Sequence, residues 1–148
     1  MAIRFSKERA LQVAVPPQLA SGALVQGDIR VLRCTYDLAT DGAVTDADAI
    51  ELGELPAGAA FVAGLLTVSA TLGSSTPAIG TNAAHASNGQ YRAAAVQTAT
   101  NAPNLFGLAA AKASPPLTAA AKVYLTTAAA SLPGAGTVVV DIIYSVAN

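Results

Sequence analysis

Charge is what this chain most lacks. Only 11% of its 148 residues are Asp, Glu, Lys or Arg, less than half of the roughly 25% usual in soluble domains. Eight Lys and Arg scattered against nine Asp and Glu form no basic stripe, so phosphate neutralisation, and with it direct nucleic-acid binding, is not expected. Tryptophan is absent and aromatics reach only 5%; no aromatic pair stands among basic residues to stack exposed bases. A single cysteine, Cys34, excludes an intramolecular disulfide, and with a single histidine, His85, it excludes a zinc site built from several such ligands.

Long apolar runs are missing as well. Residues 55–91 contain no Asp, Glu, Lys or Arg, yet the apolar run 57–66 is ten residues long and is broken beyond it by Thr67, Ser69, Thr71 and Gly73-Ser74-Ser75. A spanning helix needs about twenty residues, so the segment reads as buried strand and no membrane contact is expected. Residues 1–10 carry Arg4, Lys7, Glu8 and Arg9 without a continuous apolar stretch, which is not the pattern of a secretory signal.

Catalytic chemistry is equally thin. Six of the nine carboxylates (Asp37, Asp41, Asp46, Asp48, Glu51, Glu54) fall within eighteen residues of turn-rich sequence, which reads as a solvated loop face. Its rival, a calcium loop at residues 41–48, lacks the one-three-five ligand order and the closing Glu at twelve. No serine stands in a Gly-x-Ser-x-Gly elbow, and His85, in a polar loop, reads as a solvated residue rather than a base. Gly73-Ser74-Ser75 and Gly134-Ala135-Gly136 lack the Lys-Ser/Thr continuation of a phosphate cradle and read as turns. Neither an enzyme, nor a metal, nor a cofactor is expected.

What the chain has is hydrophobic residues, 53% of it, of which 35 are alanine. That suffices for one domain with a finely grained core and excludes intrinsic disorder. Residues 29–38 alternate, with Arg30, Leu32, Cys34, Tyr36 and Leu38 on one face and Val31, Arg33, Thr35 and Asp37 on the other; period two means strand, and Cys34 falls on its apolar side as a small core hydrophobe. Further strands are expected at 49–53, at 62–72 with Val62, Gly64, Leu66, Val68, Ala70 and Leu72 inward, at 78–81, 91–98 and 122–127, and at 137–146 with Val138, Val140, Ile142, Tyr144 and Val146 on one side. Leu105, Leu108, Ala109 and Lys112 have helical spacing that Pro115-Pro116 would end, which allows one short helix. Turn signals every eight to twelve residues make the expected fold all-β: an antiparallel two-sheet sandwich of jelly-roll type with about eight strands. Residues 1–23, with Val13, Val15 and Pro16-Pro17, read as an extended N-terminal arm, and residues 24–148 as the single sandwich domain.

One stretch carries a resemblance. Ala49-Ile50-Glu51-Leu52-Gly53-Glu54-Leu55-Pro56-Ala57-Gly58-Ala59, the long Phe61 to Leu72 strand after it, and Ser74-Ser75-Thr76-Pro77-Ala78-Ile79-Gly80-Thr81 resemble the hairpin, strand, polar turn and second strand of small virion proteins of tailed bacteriophages. Gln90-Tyr91-Arg92-Ala93-Ala94-Ala95 and the closing Ala135-Gly136-Thr137-Val138-Val139-Val140-Asp141-Ile142-Ile143-Tyr144 are similar to the remaining strands, so the likeness covers residues 46–146. It implies a jelly-roll capsid decoration, or cement, protein on the exterior of a phage head, made in the bacterial host cytoplasm and joining neighbouring major capsid subunits. Ile3, Arg4, Phe5, Lys7, Arg9 and Leu11 of the arm are the candidate capsid-binding residues. Mean hydropathy of +0.48 adds an expected homodimer or homotrimer, because so small a domain hides its apolar surface poorly. The alternatives are a tail or head-fibre module that binds a receptor or glycan, and, further off, an adhesin subunit.

Overall fold

The alternating segments fold as antiparallel strands because each puts one row of apolar side chains on one side of the backbone. The structure, a computed structural model, describes residues 27–146. Among them run β1 (Asp28–Asp37), β2 (Ala49–Leu55), β3 (Ala59–Val68), β4 (Ala78–Gly80), β5 (Asn104–Phe106), β6 (Ala121–Thr126) and β7 (Thr137–Val146), with one short helix, α1 (Ala109–Ala113), and a 3-10 turn at His85–Ser87. The sheets have the orders β1-β7-β3-β5 and β2-β6-β4. Successive strands therefore alternate between the two layers along the described chain, in a jelly-roll connection, and the core fills the space between the layers.

The inward rows are those of the sequence pattern with one exception. Val138, Val140 and Ile142 from β7, Leu66 and Val68 from β3, Val123 and Leu125 from β6, and Ile79 from β4 are all buried, and Leu32, Cys34 and Tyr36 pack against them from the edge. Val62 does not join them. The β3–β7 register passes from Phe61↔Tyr144 directly to Ala63↔Ile143, so a bulge at Val62 shifts the phase of the strand. Phe61 turns inward before the bulge, Gly64 after it, and Val62 is left 37% exposed.

Phe61 anchors an aromatic stack, with Tyr91 at a ring-centroid distance of 4.4 Å and Phe106 at 6.4 Å. Phe106 lies opposite Gly64 across the β3–β5 ladder, and its ring occupies the space a side chain at 64 would take. Three aromatic rings thus supply bulk to a core otherwise built of small residues.

Two expected elements are different. Residues 91–98 make no strand; a single bridge, Ile79↔Arg92, remains of it. The buried Arg92 guanidinium curls back to donate to the carbonyls of Pro77, Ala93, Ala95 and Val96, taking acceptors that a ladder would use. Burial without a carboxylate lowers its pKa from the ordinary arginine value. The helical spacing at 105–112 divides at Gly107, whose φ of 154° lies in the region that favours glycine. Leu105 becomes part of β5, and only 109–113 are helical. β3 also ends at Val68, before the expected Leu72, where Ser69 closes the ladder with bonds to and from Thr137.

A methyl group at Gly64 would have to displace the Phe106 ring from the stack. Gly64→Ala is expected to lower the unfolding free energy by about 1–3 kcal/mol, the usual cost of overpacking, measured by urea denaturation. A Gly64→Ala/Phe106→Leu double variant should recover part of that loss.

Candidate functional site

The residues with chemical potential are dispersed. Cys34 sits on β1 in the four-stranded sheet, opposite Val140; burial, with Asp41 nearby, raises its thiol pKa, the reverse of an activated nucleophile. His85 belongs to the other layer, where its Nδ1 lies 2.8 Å from the Thr127 carbonyl oxygen. It is not the solvated residue expected: it is half-buried, and its Nε2 is enclosed without a hydrogen-bond partner. The loop carrying it is held down by Asn88, whose amide donates to Ala78 O, Tyr124 O and Thr126 Oγ1. The loop thereby covers part of the three-stranded sheet.

Asp37, Asp41 and Asp48 act locally. Asp37 accepts from the Ala39 and Thr40 N–H groups. Asp41 accepts from the Asp37 N–H. Asp48 accepts from the Thr45 N–H and hydroxyl, bonds that lower its pKa. They are turn-forming side chains, and among the described residues no three His, Cys, Asp or Glu side chains gather as a metal site. A small cavity of about 160 Å³ beside Phe61, Tyr91 and Leu117 presents Thr81, Gln90 and Ser114 as its polar groups. An open cleft of about 490 Å³ runs between the edges of β1 and β2, past Cys34, Tyr36, Val44 and Ile50.

The most distinctive surface is the outer face of the four-stranded sheet. One row crosses all four strands, Arg33–Asp141–Leu65–Leu105; beside it lie Val31–Ile143–Ala63 and Ile29–Ser145–Ala60, of which Ser145 and Ala60 are buried, and on its other side Thr35–Val139–Thr67. Leu105 is 67% exposed, Ile29 61% and Val31 55%. Within these rows the ionised groups are Arg33 and Asp141, joined by two bonds, Nε–Oδ1 at 2.6 Å and Nη2–Oδ2 at 2.9 Å. Asp141 raises the Arg33 pKa through that hydrogen bond and its charge, and the face is net neutral. The outer face of the three-stranded sheet is the opposite, with Glu51, Glu54 and Lys122 exposed and a Lys122 Nζ–Glu51 Oε2 contact of 2.9 Å. One sheet meets water with charges; the other offers aliphatic side chains.

Ile3, Arg4, Phe5, Lys7, Arg9 and Leu11, the arm residues expected to bind a capsid, lie outside the described residues. The aliphatic face was not singled out by sequence reasoning, although its signal was present: Ile29 and Val31 stand at alternate positions beside the inward row of β1, where a solvated strand would carry polar residues.

No protein-family model and no curated protein matches the chain. Solved structures do match its fold. A chain in the capsid of Ralstonia phage GP4 superposes with a TM-score of 0.64 at 21% identity, covering 82% of this chain and 86% of that one. A chain in the capsid asymmetric unit of cyanophage Pam1 does so with a TM-score of 0.60 at 21% identity, covering 81% and 86%. At that identity the likeness is one of fold.

Because the Cys34 thiol stays protonated to a higher pH than an ordinary thiol, the native protein should react with a disulfide reagent more slowly than the urea-unfolded chain between about pH 7 and 9. Equal or faster native labelling, followed by absorbance of the released thiolate, would contradict that environment.

Proposed function

We propose that this chain is a non-enzymatic structural protein of a tailed-phage virion, a decoration or cement protein that binds the exterior of the head and stabilises contacts between major capsid subunits. The observation that carries this reading is the match in fold, over four-fifths of the chain, to chains of two phage capsids. The aliphatic, net-neutral face of Ile29, Val31, Leu65, Leu105 and Ile143 supports it, since such a surface adheres by desolvation and shape instead of long-range charge. The resemblance of residues 46–146 to phage virion proteins points the same way.

Physically, the function is differential binding. A protein that binds the assembled shell and not its free subunits stabilises the shell by mass action, and repeated sites multiply weak contacts through effective concentration. The partners in this reading are the major capsid protein and further copies of the chain; it calls on no nucleic acid, membrane or cofactor. The arm, through Ile3, Arg4, Phe5, Lys7, Arg9 and Leu11, lies across a capsid subunit or adds a strand to it.

Purified particles test this directly. Quantitative mass spectrometry should find copies comparable in number to the major shell protein, and antibody labelling should decorate intact heads. A handful of copies, with label at the tail, would instead favour a receptor-binding module. Deleting residues 1–23 should abolish binding to undecorated shells while leaving the thermal unfolding of the purified protein unchanged; retained binding would remove the arm from the mechanism.

A further inference from the structure

The sheet edges of this molecule are unlike one another. β4 and β5 are three residues each, and β4 is further bridged by Arg92. β2 is bent by a bulge between Glu51 and Gly53. β1 is ten residues long, keeps an unbroken register with β7 from Asp28↔Val146 to Asp37↔Thr137, and contains no proline. Short edges and bulges are how sheets avoid adding strands. By that measure β1 is the longest regular edge among the described strands; its charged side chains are Asp28, Arg30, Arg33 and Asp37, and Arg33 is turned across the outer face to Asp141.

Hydrogen-bond parity identifies which groups are open. Leu38 N–H donates to Gly136 O at 2.8 Å, in continuation of the β1–β7 register. Bonded and non-bonded pairs alternate along an antiparallel ladder. Even-numbered residues of β1 therefore bond to β7, and the N–H and C=O of Ile29, Val31, Arg33, Thr35 and Asp37 point away from it. At Asp37 the following loop closes both groups: its N–H donates to Asp41 Oδ2 at 2.8 Å, and its carbonyl accepts from the Asp41 N–H at 2.9 Å. The backbones of Ile29, Val31, Arg33 and Thr35 have no such partner among the described residues.

We propose that β1 of a second copy of this chain completes the edge, antiparallel across a two-fold axis that passes at Leu32. In that register Ile29 faces Thr35 of the second copy and Val31 faces its Arg33, and the reverse, so all four open residues of each copy are matched. Each matched pair exchanges two backbone bonds. The neighbouring registers of the same parity do worse. Centring on Arg33 sets two guanidinium groups opposite each other and calls on Asp37, already closed; centring on Val31 carries Thr35 to Gly27, outside the strand. Even parity is itself required, because it keeps both inner rows on the core side. The result is one continuous sheet whose aliphatic outer faces adjoin at Ile29 and Val31, and a closed, isologous contact in which the remaining sheet edges are the short or bulged β2, β4 and β5. Residues 1–26 of the same chain are the competing occupant, but Pro16-Pro17 removes two adjacent N–H donors from any strand they would form there.

The pairing deepens the self-association in the function proposed above and is tested on the purified full chain, so a negative result here leaves the particle experiments to judge that function separately. Sedimentation equilibrium should give twice the 14.7 kDa chain mass. Val31→Pro removes an outward N–H that β7 does not use, and should raise the dimer dissociation constant at least tenfold without changing the far-ultraviolet circular dichroism. In a Cys34→Ser background, Leu32→Cys should cross-link to a covalent dimer under mild oxidation, because a non-bonded pair on the axis brings the two Cα atoms to about 4.5 Å, whereas Ile29→Cys should not. A monomeric or trimeric wild type overturns the pairing, as does failure of Leu32→Cys to cross-link. A monomer that becomes dimeric on deletion of residues 1–26 overturns it in favour of the chain's own segment.

Discussion

β7 carries the fold. It is hydrogen-bonded along its length on both sides, to β1 near the start of the described chain and to β3 in the middle, and it presents Val138, Val140 and Ile142 to the core with almost no exposure. Full burial of each such side chain is worth about 1.5–3 kcal/mol. The same strand holds Asp141 on the opposite face, where it fixes Arg33 across 108 positions of sequence. Core, sheet order and outer surface thus depend on one strand being satisfied on four sides. Because its partners are distant in sequence, the structure is won from non-local contacts against loop-closure entropy.

The rest of the core shows how an alanine-rich chain fills a sandwich. Small residues let backbones approach, and a few large groups are spent where two elements meet: Phe106 over Gly64, the Phe61–Tyr91 stack, and Leu32 against Gly53, whose φ of 142° already suits glycine. The aliphatic side chains left over appear on one outer face and not the other. Loop 82–90 and the Glu51, Glu54 and Lys122 charges occupy the three-stranded side, which gives the molecule a charged side and an aliphatic side.

Strand positions were the most legible part of the sequence, because period two records burial on one face wherever the backbone stays regular. β1, β6 and β7 lie within a residue of their expected limits, and the inward row of β7 is the one its β-branched residues announce. Legibility failed where a backbone event or a single side chain overrode the pattern. The bulge at Val62 inverts the phase of half a strand, and no local residue signals it. Arg92 converts a drawable strand into a loop by capturing carbonyls, a decision made by the space beneath it. His85 sits in a segment whose composition says solvent, yet packing of that loop against the end of β6 half-buries it and encloses its Nε2. The aliphatic outer face was missed for a related reason: Val31 reads as the solvent side of its strand with Arg33, Thr35 and Asp37, and only the sheet shows that it adjoins Ile143 of β7.

The amino-acid sequence alone determined the class of fold, the poverty of titratable chemistry and the places where the chain turns, since alternation, charge content and Gly/Pro punctuation are local properties. Which strand lies beside which, which row faces water, and which backbone groups stay open at the edge were decided by tertiary structure. Those choices depend on pairings between residues about a hundred positions apart, where free energy is gained only after the two sheets have closed on each other, and no short window of residues contains that information.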